Sequence, residues 1–204
     1  ASEYTSYSRF IQNRACFSNL KAKGFIIPFS DSPTDQNNTG LHMHLNMLGC
    51  AKDYFWISTP YLILDAEMIS SLKLAVSNGV DVRIVVPGIP DKKMVYQVTK
   101  ANFDILIKAG VKIYEYTPGF CHAKQWVSDD EVCVVGTINM DFRSLYLHFE
   151  NAVFTYNREL AGKVKADMLN NFEISNEVTS DYAVDVIRPL KLGTCMLHMI
   201  SPLL

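Results

Sequence analysis

An α/β fold is predicted, with a mixed, mostly parallel sheet flanked by helices on both faces as an α/β/α sandwich. Two observations predict it. Between residues 41 and 116, stretches of helical length alternate with short β-branched runs, and strand–helix–strand order implies parallel pairing with the helices laid on the sheet faces. After Pro118-Gly119 the character changes to short strands and a tight turn, which reads as a hairpin region and makes the sheet mixed.

The elements follow in order. Residues 1–24 are polar and mixed, an N-terminal or inter-domain segment with a short helix near Phe10 to Leu20 stopped by Gly24. Phe25 to Phe29 reads as a strand, and Ser30 to Gly40, rich in Ser, Asp, Asn and Pro, as a loop. Leu41 to Asp53 reads as a helix and Tyr54 to Ser58 as a buried strand. Asp65 to Asn78 is a helix with Asp65 as its N-cap and Gly79 as its stop. Val80 to Val86 is a β-branched strand, Lys93 to Ala109 a helix ended by Gly110, and Val111 to Tyr116 the next strand. Cys121 to Ser128 and Glu131 to Gly136 form a hairpin around Asp129-Asp130. Asp141 to Leu147 is a short helix, Phe149 to Tyr156 a strand and Glu159 to Phe172 a helix. Residues 25–180 make one domain, and 181–204 an apolar tail packed on it.

Composition narrows the function. Nearly half of the 204 residues are hydrophobic, enough for a real core, while the net charge is only −2. A free-standing nucleic-acid binder draws its affinity from a basic excess, so this balance disfavours a nuclease. Cys16, Cys50, Cys121, Cys133 and Cys195 are odd in number and contain no C-x-x-C pair, which favours reduced thiols under cytoplasmic conditions over a disulfide or zinc framework. No apolar run approaches the roughly 20 residues that span a bilayer, so this chain by itself reads as soluble or peripheral. No signal peptide is visible at the N-terminus.

The chemistry centres on His122 and Lys124. Two apart on a strand, they would share a face and present an imidazole beside an ammonium. A phosphodiester fits that pair. Lysine offsets the charge that builds on phosphate in the transition state, and a neutral imidazole can attack phosphorus to form a phosphohistidine without a metal. Asp129 has the opposite parity and reads as structural, tying down the hairpin turn or a nearby backbone amide. Gly136 ends the next strand and permits a tight turn. That places Thr137 and Asn139 at a strand's C-terminal end, where open α/β sheets bind ligands and where an amide can donate to a phosphoryl oxygen. Glu150 opens the following strand, and a carboxylate that reaches His122 would set its tautomer and stabilise the imidazolium.

The string His122-Ala123-Lys124, Asp129, Gly136-Thr137-Ile138-Asn139 resembles the HKD motif of the phospholipase D superfamily. The resemblance implies that His122 is the nucleophile or the general acid, that Lys124 and Asn139 bind phosphate with Thr137 beside them, and that Glu150 orients the histidine. Thr137 stands where the family often has serine. Ser58-Thr59-Pro60-Tyr61, Gly79-Val80-Asp81-Val82-Arg83, the run from Gly110 to Tyr116, Asp141-x-Arg143-Ser144-Leu145 and the end Ser201-Pro202-Leu203-Leu204 look like the C-terminal half of bacterial cardiolipin synthases.

That narrower resemblance implies transfer of a phosphatidyl group between two phosphatidylglycerol molecules, with release of glycerol, at the cell membrane of a bacterium. It requires no cofactor or metal. Such synthases carry two HKD motifs and this chain one. The expected partner is therefore an N-terminal HKD half of the same protein or, failing that, a second copy about a twofold axis. The rival within the superfamily is a homodimeric one-motif phosphodiesterase or nuclease; a rival outside enzymology is a domain that only binds lipid or a partner.

Other residues admit bland readings. Cys121 is a small core thiol rather than half of a Cys-His pair. His42 and His44 diverge on a helix and lack a carboxylate at metal-ligand spacing. Lys92 and Lys93 either contact anionic headgroups or form a solvated loop. Tyr61, Phe120, Tyr146 and Phe149 belong by default to packing and alternatively to a lipid entrance. Arg143 either binds phosphate or pairs with an acidic neighbour.

Overall fold

The computed structural model describes residues 23–34 and 37–183. Its central strand is β2 (Tyr54–Ser58), every residue of which is buried. Burial on both faces is what YFWIS encodes: Phe55 and Ile57 enter one core, Tyr54 and Trp56 the other.

Around β2 lies an eight-stranded sheet. Its strands are β1 (Phe25–Asp31), β4 (Asp81–Pro87), β5 (Lys112–Tyr116), β6 (Gln125–Ser128), β7 (Val132–Gly136), β9 (Glu150–Tyr156) and β10 (Ser175–Glu177), in the order β1-β9-β7-β6-β2-β4-β5-β10. A separate two-residue parallel pair joins β3 (Leu62–Ile63) to β8 (Met140–Asp141).

The α/β sandwich is as the sequence predicts, but the large sheet is not mostly parallel. Only β2–β4 and β4–β5 pair parallel. The other five pairings are antiparallel. The reason lies in the connections. Helices α2 (Ala66–Ser77) and α3 (Lys93–Lys108) carry the chain back to the starting end before β4 and β5. No helix precedes β6, so the chain reverses at the end it has reached, and Ser58 faces Gln125.

One face of the sheet is covered by α1 (Thr39–Cys50), α2 and α3. Leu48, Met68, Leu72, Phe103 and Leu106 belong to one apolar core with Phe55, Ile84 and Ile113 of the strands. The opposite face is covered by α5 (Arg158–Glu173), whose Ala161, Met168 and Phe172 meet Trp56, Tyr114 and Val127. Each fully buried large side chain contributes on the order of 1.5–3 kcal/mol of transfer free energy. His44 belongs to the first core. It is fully buried, its ring is edge-on to Trp126 at 4.1 Å, and burial pushes its pKa down to about 3, so it is a neutral packing residue.

Local chemistry sets the element ends. Asp65 caps α2 by accepting from the Met68 amide at 2.8 Å, as predicted. Asn157 caps α5 through the amides of Glu159 and Leu160. Helix α1 is capped from a distance: Asp31, the last residue of β1, accepts from the amides of Gly40 at 2.7 Å and Thr39 at 3.2 Å. Gly79 and Gly110 end their helices with φ of +89° and +100°, a conformation that disfavours a Cβ.

Gly136 has a different role from the turn expected of it. A Cβ there would stand 2.4 Å from the Ala152 Cβ and 2.5 Å from the Asn151 carbonyl oxygen, so it is the close approach of β9 that demands glycine. The strand expected over Cys121 to Ser128 begins only at Gln125. Strand β2 ends opposite that residue, and 121–124 run on past it, held to β7 at Lys124, whose carbonyl accepts from the Gly136 amide at 3.2 Å. Strands β3, β8 and β10 and the helix α6 (Thr179–Ala183) were not legible, being too short to show a period. The helix expected near Phe10 to Leu20 and nearly all of the 181–204 tail lie outside the described residues.

The β6–β7 turn carries the tightest constraint. Asp129 and Asp130 have φ of +53° and +56°, the left-handed pair of a two-residue hairpin. The Asp129 carboxylate accepts from three backbone amides, Lys52 at 2.8 Å, Asp53 at 3.0 Å and Tyr54 at 2.9 Å. Asp129→Ala removes both acceptor oxygens, and with them all three hydrogen bonds, and places alanine at positive φ. The expected loss of unfolding free energy is about 2 kcal/mol by urea denaturation. Asp129→Asn keeps the conformational tolerance and one acceptor, and loses less. A loss for Asp129→Ala below about 0.5 kcal/mol would remove this anchor from the account.

Candidate active site

The sequence-predicted residues gather at one end of the sheet, where β2, β4 and β5 finish and where β6 and β9 begin. The 121–124 segment crosses this end outside any strand, although the Lys124 carbonyl still accepts from the Gly136 amide of β7 at 3.2 Å. The expectation that strand parity aligns His122 with Lys124 therefore fails in its reason, yet the two side chains meet. Lys124 Nζ lies 3.0 Å from His122 Nε2 and 2.9 Å from the His122 carbonyl oxygen. An ammonium has only donors, so Nε2 accepts and the ring proton belongs on Nδ1. Phe120 packs along the imidazole, with ring centroids 5.3 Å apart.

Burial lowers the His122 pKa below its ordinary 6.5, the Lys124 charge lowers it further, and the charge of Asp91 opposes both. Asp91 is held by the Tyr61 hydroxyl, which donates to its Oδ2 at 2.6 Å. Burial also lowers the Lys124 pKa, against the attraction of Glu150 and Asp141. The result is a neutral imidazole with a lone pair at Nε2 and a cation that attends it.

Glu150 does not orient His122 here. Its buried carboxylate accepts from the Ser144 hydroxyl at 2.6 Å and from the Thr137 hydroxyl in a short bond. The histidine nearest to it is His148, with Nδ1 3.8 Å from Oε1. The fold places Glu150 one residue before the β7–β9 pairing reaches Asn151 and Thr137, which turns its side chain into that loop. Its influence on the pair is electrostatic, through Lys124.

The 137–144 loop is knitted tightly. Asn139 donates its backbone amide to Ser144 Oγ at 2.8 Å, and Met140 donates to Thr59 Oγ1 at 3.0 Å. Asp141 caps the short helix α4 (Phe142–Tyr146) by accepting from the Ser144 amide at 2.8 Å. It also holds the Asn139 side chain, and burial raises its pKa above the ordinary carboxylate value. The Asn139 Oδ1 is a buried acceptor without a donor. Beside it opens a cavity of about 200 Å³, with Ile63 and Val95 as apolar wall and Tyr61, Lys92, Asn139, Asp141, Arg143 and His148 as polar lining.

Residues 44–172 match the family described as cardiolipin synthase, PLD-like domain. The chain belongs to this family. Over 165 residues it is 38% identical to a cardiolipin synthase of a Geobacillus strain, covering 80% of this chain and 32% of that protein. An uncharacterized protein of Streptococcus mutans is 45% identical over 188 residues, covering 92% of this chain and 41% of that protein. Phosphatidylserine synthase of Haemophilus influenzae shares the fold with a TM-score of 0.70 at 14% identity, covering 88% of this chain and 48% of that one. The chain thus spans less than half the length of these relatives. As a cardiolipin synthase-like domain it brings together His122, Lys124, Phe120 and, through charge, Asp91, Glu150 and Asp141.

Sequence reading missed Asp91 and His148, and named Thr59 and Ser144 only within strings that resemble the family, with no role for either. Asp141-x-x-Ser144 has the spacing of a helix cap and was open to detection. Asp91 carried no signal, because only the fold brings the β4–α3 loop to the histidine. Cys121 lies 3.6 Å from the Ser58 hydroxyl, half-buried rather than in the core. Among the described residues no cluster of three His, Cys, Asp or Glu side chains is placed to hold a metal, and no helix is long and apolar enough to cross a membrane.

The electrostatics give a signed prediction. His122 titrates below 6.5, as followed by NMR of its ring protons. Lys124→Met removes a positive neighbour and moves the midpoint up, while Asp91→Asn removes a negative one and moves it down. Because the folded value is depressed, this histidine's contribution to stability is present above its unfolded pKa and lost as pH falls through the folded one. A midpoint at or above 6.5 in the unsubstituted protein would contradict the assignment.

Proposed function

We propose that this chain supplies one half of a phosphatidyltransferase site that converts two phosphatidylglycerol molecules into cardiolipin and glycerol. The observation that carries the reading is the contact of Lys124 Nζ with His122 Nε2 at 3.0 Å, beside an imidazole kept neutral. In the first step Nε2 attacks the donor phosphorus. A P–N bond forms, the P–O bond to glycerol breaks, and glycerol leaves with a proton from a general acid. In the second step the hydroxyl of the acceptor phosphatidylglycerol attacks the phosphohistidine and gives its proton to the same group. The P–N bond breaks and His122 is restored.

Lys124 moves from the ring nitrogen to the phosphoryl oxygens as charge develops there. Thr137 and Asn139 line the phosphate with it, and Glu150 acts as a positioning residue through Thr137 and Ser144. The acid–base partner is the histidine of the other HKD half, either an N-terminal half of the same protein or a second copy of this chain. The membership of a cardiolipin synthase family supports the substrate class. So does a set of exposed apolar side chains, Ile89, Met94, Phe120, Leu147 and Phe149, in the loops and helix start at the site's end of the sheet. Phe149 is 75% exposed, a poor arrangement in water and a good one against acyl chains or a membrane surface. No observation favours the nuclease rival, and a pI of about 6.2 opposes it.

The test is phosphatidyl transfer with labelled phosphatidylglycerol in detergent micelles. The chain would be assayed alone, together with a supplied N-terminal half, and as His122→Ala in both settings. Cardiolipin is expected from the paired halves and is expected to fall on the order of 10³-fold or more in His122→Ala. Cleavage of nucleic acid by the chain alone, with no cardiolipin in any mixture, would replace this reading by the homodimeric nuclease.

A further inference from the structure

We infer that the cavity lined by Lys92 and Arg143, at the same end of the sheet as the His122–Lys124 pair, is a second anion site, which holds the phosphodiester of the acceptor lipid. The inference rests on the transfer reading above and adds to it the place where the second phospholipid binds.

Transfer to an anionic lipid poses a problem that hydrolysis does not. Water brings no charge, whereas phosphatidylglycerol brings a second phosphate within one glycerol bridge of the first. Lys124 is committed to the donor phosphate, so a separate cation is needed for the acceptor. The cavity supplies it. Lys92, Arg143 and His148 line one opening from two different elements, the start of α3 and the α4–β9 region. Arg143 and Lys92 have no carboxylate partner among the described residues, which resolves the alternative that Arg143 serves an internal ion pair. A guanidinium left unpaired beside a cavity is matched to an external anion, and its fork geometry suits a phosphodiester.

The polar lining on the other side is equally directed. Asp141, the one carboxylate in the lining, is engaged with the Ser144 amide and the Asn139 side chain. An aspartate accepts, so it takes the amide NH₂ of Asn139 and leaves the carbonyl oxygen turned away from it. Asp141 is thereby occupied within the loop, and the charge that the cavity offers a ligand comes from Lys92 and Arg143. The volume fits: about 200 Å³ exceeds the roughly 30 Å³ share of one water several-fold, room for a headgroup but not for acyl chains. The link to the reacting centre runs through Tyr61, which lines the cavity and binds Asp91, whose charge reaches His122.

The experiment compares two acceptors in the enzyme reconstituted from both halves. Labelled phosphatidylglycerol is the donor. The acceptor is either a second phosphatidylglycerol, giving cardiolipin, or free glycerol, giving headgroup exchange. Arg143→Gln combined with Lys92→Gln is expected to lower the ratio of cardiolipin to exchange about tenfold or more, the loss of a charge-assisted hydrogen bond. Arg143→Lys, which keeps the charge and loses the fork, lowers the ratio by less than the double variant does. A ratio unchanged in the double variant, or exchange and cardiolipin lost in equal measure, overturns the acceptor site while leaving phosphatidyl transfer standing. Neither reaction in the unsubstituted enzyme overturns the transfer reading and the acceptor site together.

Discussion

A single carboxylate at the far end of the sheet sets where the reacting groups stand. Asp129 sits in a left-handed turn and holds the amides of residues 52–54, the entry to β2. Three amides on one carboxylate leave no freedom to slide the β6–β7 hairpin against β2, because a one-residue slip would break every bond and turn each side chain to the wrong face. The register from Phe55 opposite Ser128 to Ser58 opposite Gln125 follows. Strand β2 then ends where β6 begins; Lys124 keeps one bond to β7, from the Gly136 amide, and residues 121–123 cross the sheet's end outside any strand. His122 and Lys124 meet there through side-chain reach and the carbonyl of His122, not through strand parity.

The site's electrostatics are set by what burial does to charge. Two carboxylates, Glu150 and Asp141, are buried behind the pair and are satisfied by hydroxyls and amides of the 137–144 loop. Buried anions without a cation are costly, and Lys124 is the cation whose charge they support. Lys124 in turn discourages protonation of His122. A chain of influences therefore runs from the loop carboxylates through lysine to the imidazole, and it favours the neutral imidazole without a direct carboxylate contact. Other triads fix the tautomer with a carboxylate on the second ring nitrogen. Here the ammonium on Nε2 does so from the opposite side.

The two faces of the sheet are unequal in a way that suits this arrangement. The α1–α2–α3 face carries the larger core and the fully buried His44, which is neutral and adds no charge beneath the strands that lead to the site. At the site's end the packing gives way to exposed Ile89, Met94, Leu147 and Phe149 among Lys92, Lys93 and Arg143. Apolar side chains interleaved with cations are what the proposed transfer between anionic lipids would use at a lipid surface.

Much of this was open to reading in the sequence, and the division has a physical basis. Local rules determined the helix and strand order from residue 54 to residue 116, the Asp65 cap, the hairpin at Asp129-Asp130 and the structural part of Asp129, because capping, β-branched runs and positive-φ turns are decided within a few residues. The adjacency of His122 and Lys124 was legible too, since residues two apart stay within reach of one another in any extended segment. Sheet direction was not, because it depends on which connections contain a helix and where each reversal falls. The partner of Glu150 was not, because a carboxylate next to three hydroxyl- or amide-bearing residues in space looks, in sequence, as free to reach the histidine as to reach Thr137 and Ser144. Gly136 was legible as a required glycine but not for its reason, which is the backbone of β9 against it. Asp91, the cavity and the unpaired Arg143 arise only when separate loops converge at the end of one sheet, and convergence is a property of the tertiary fold.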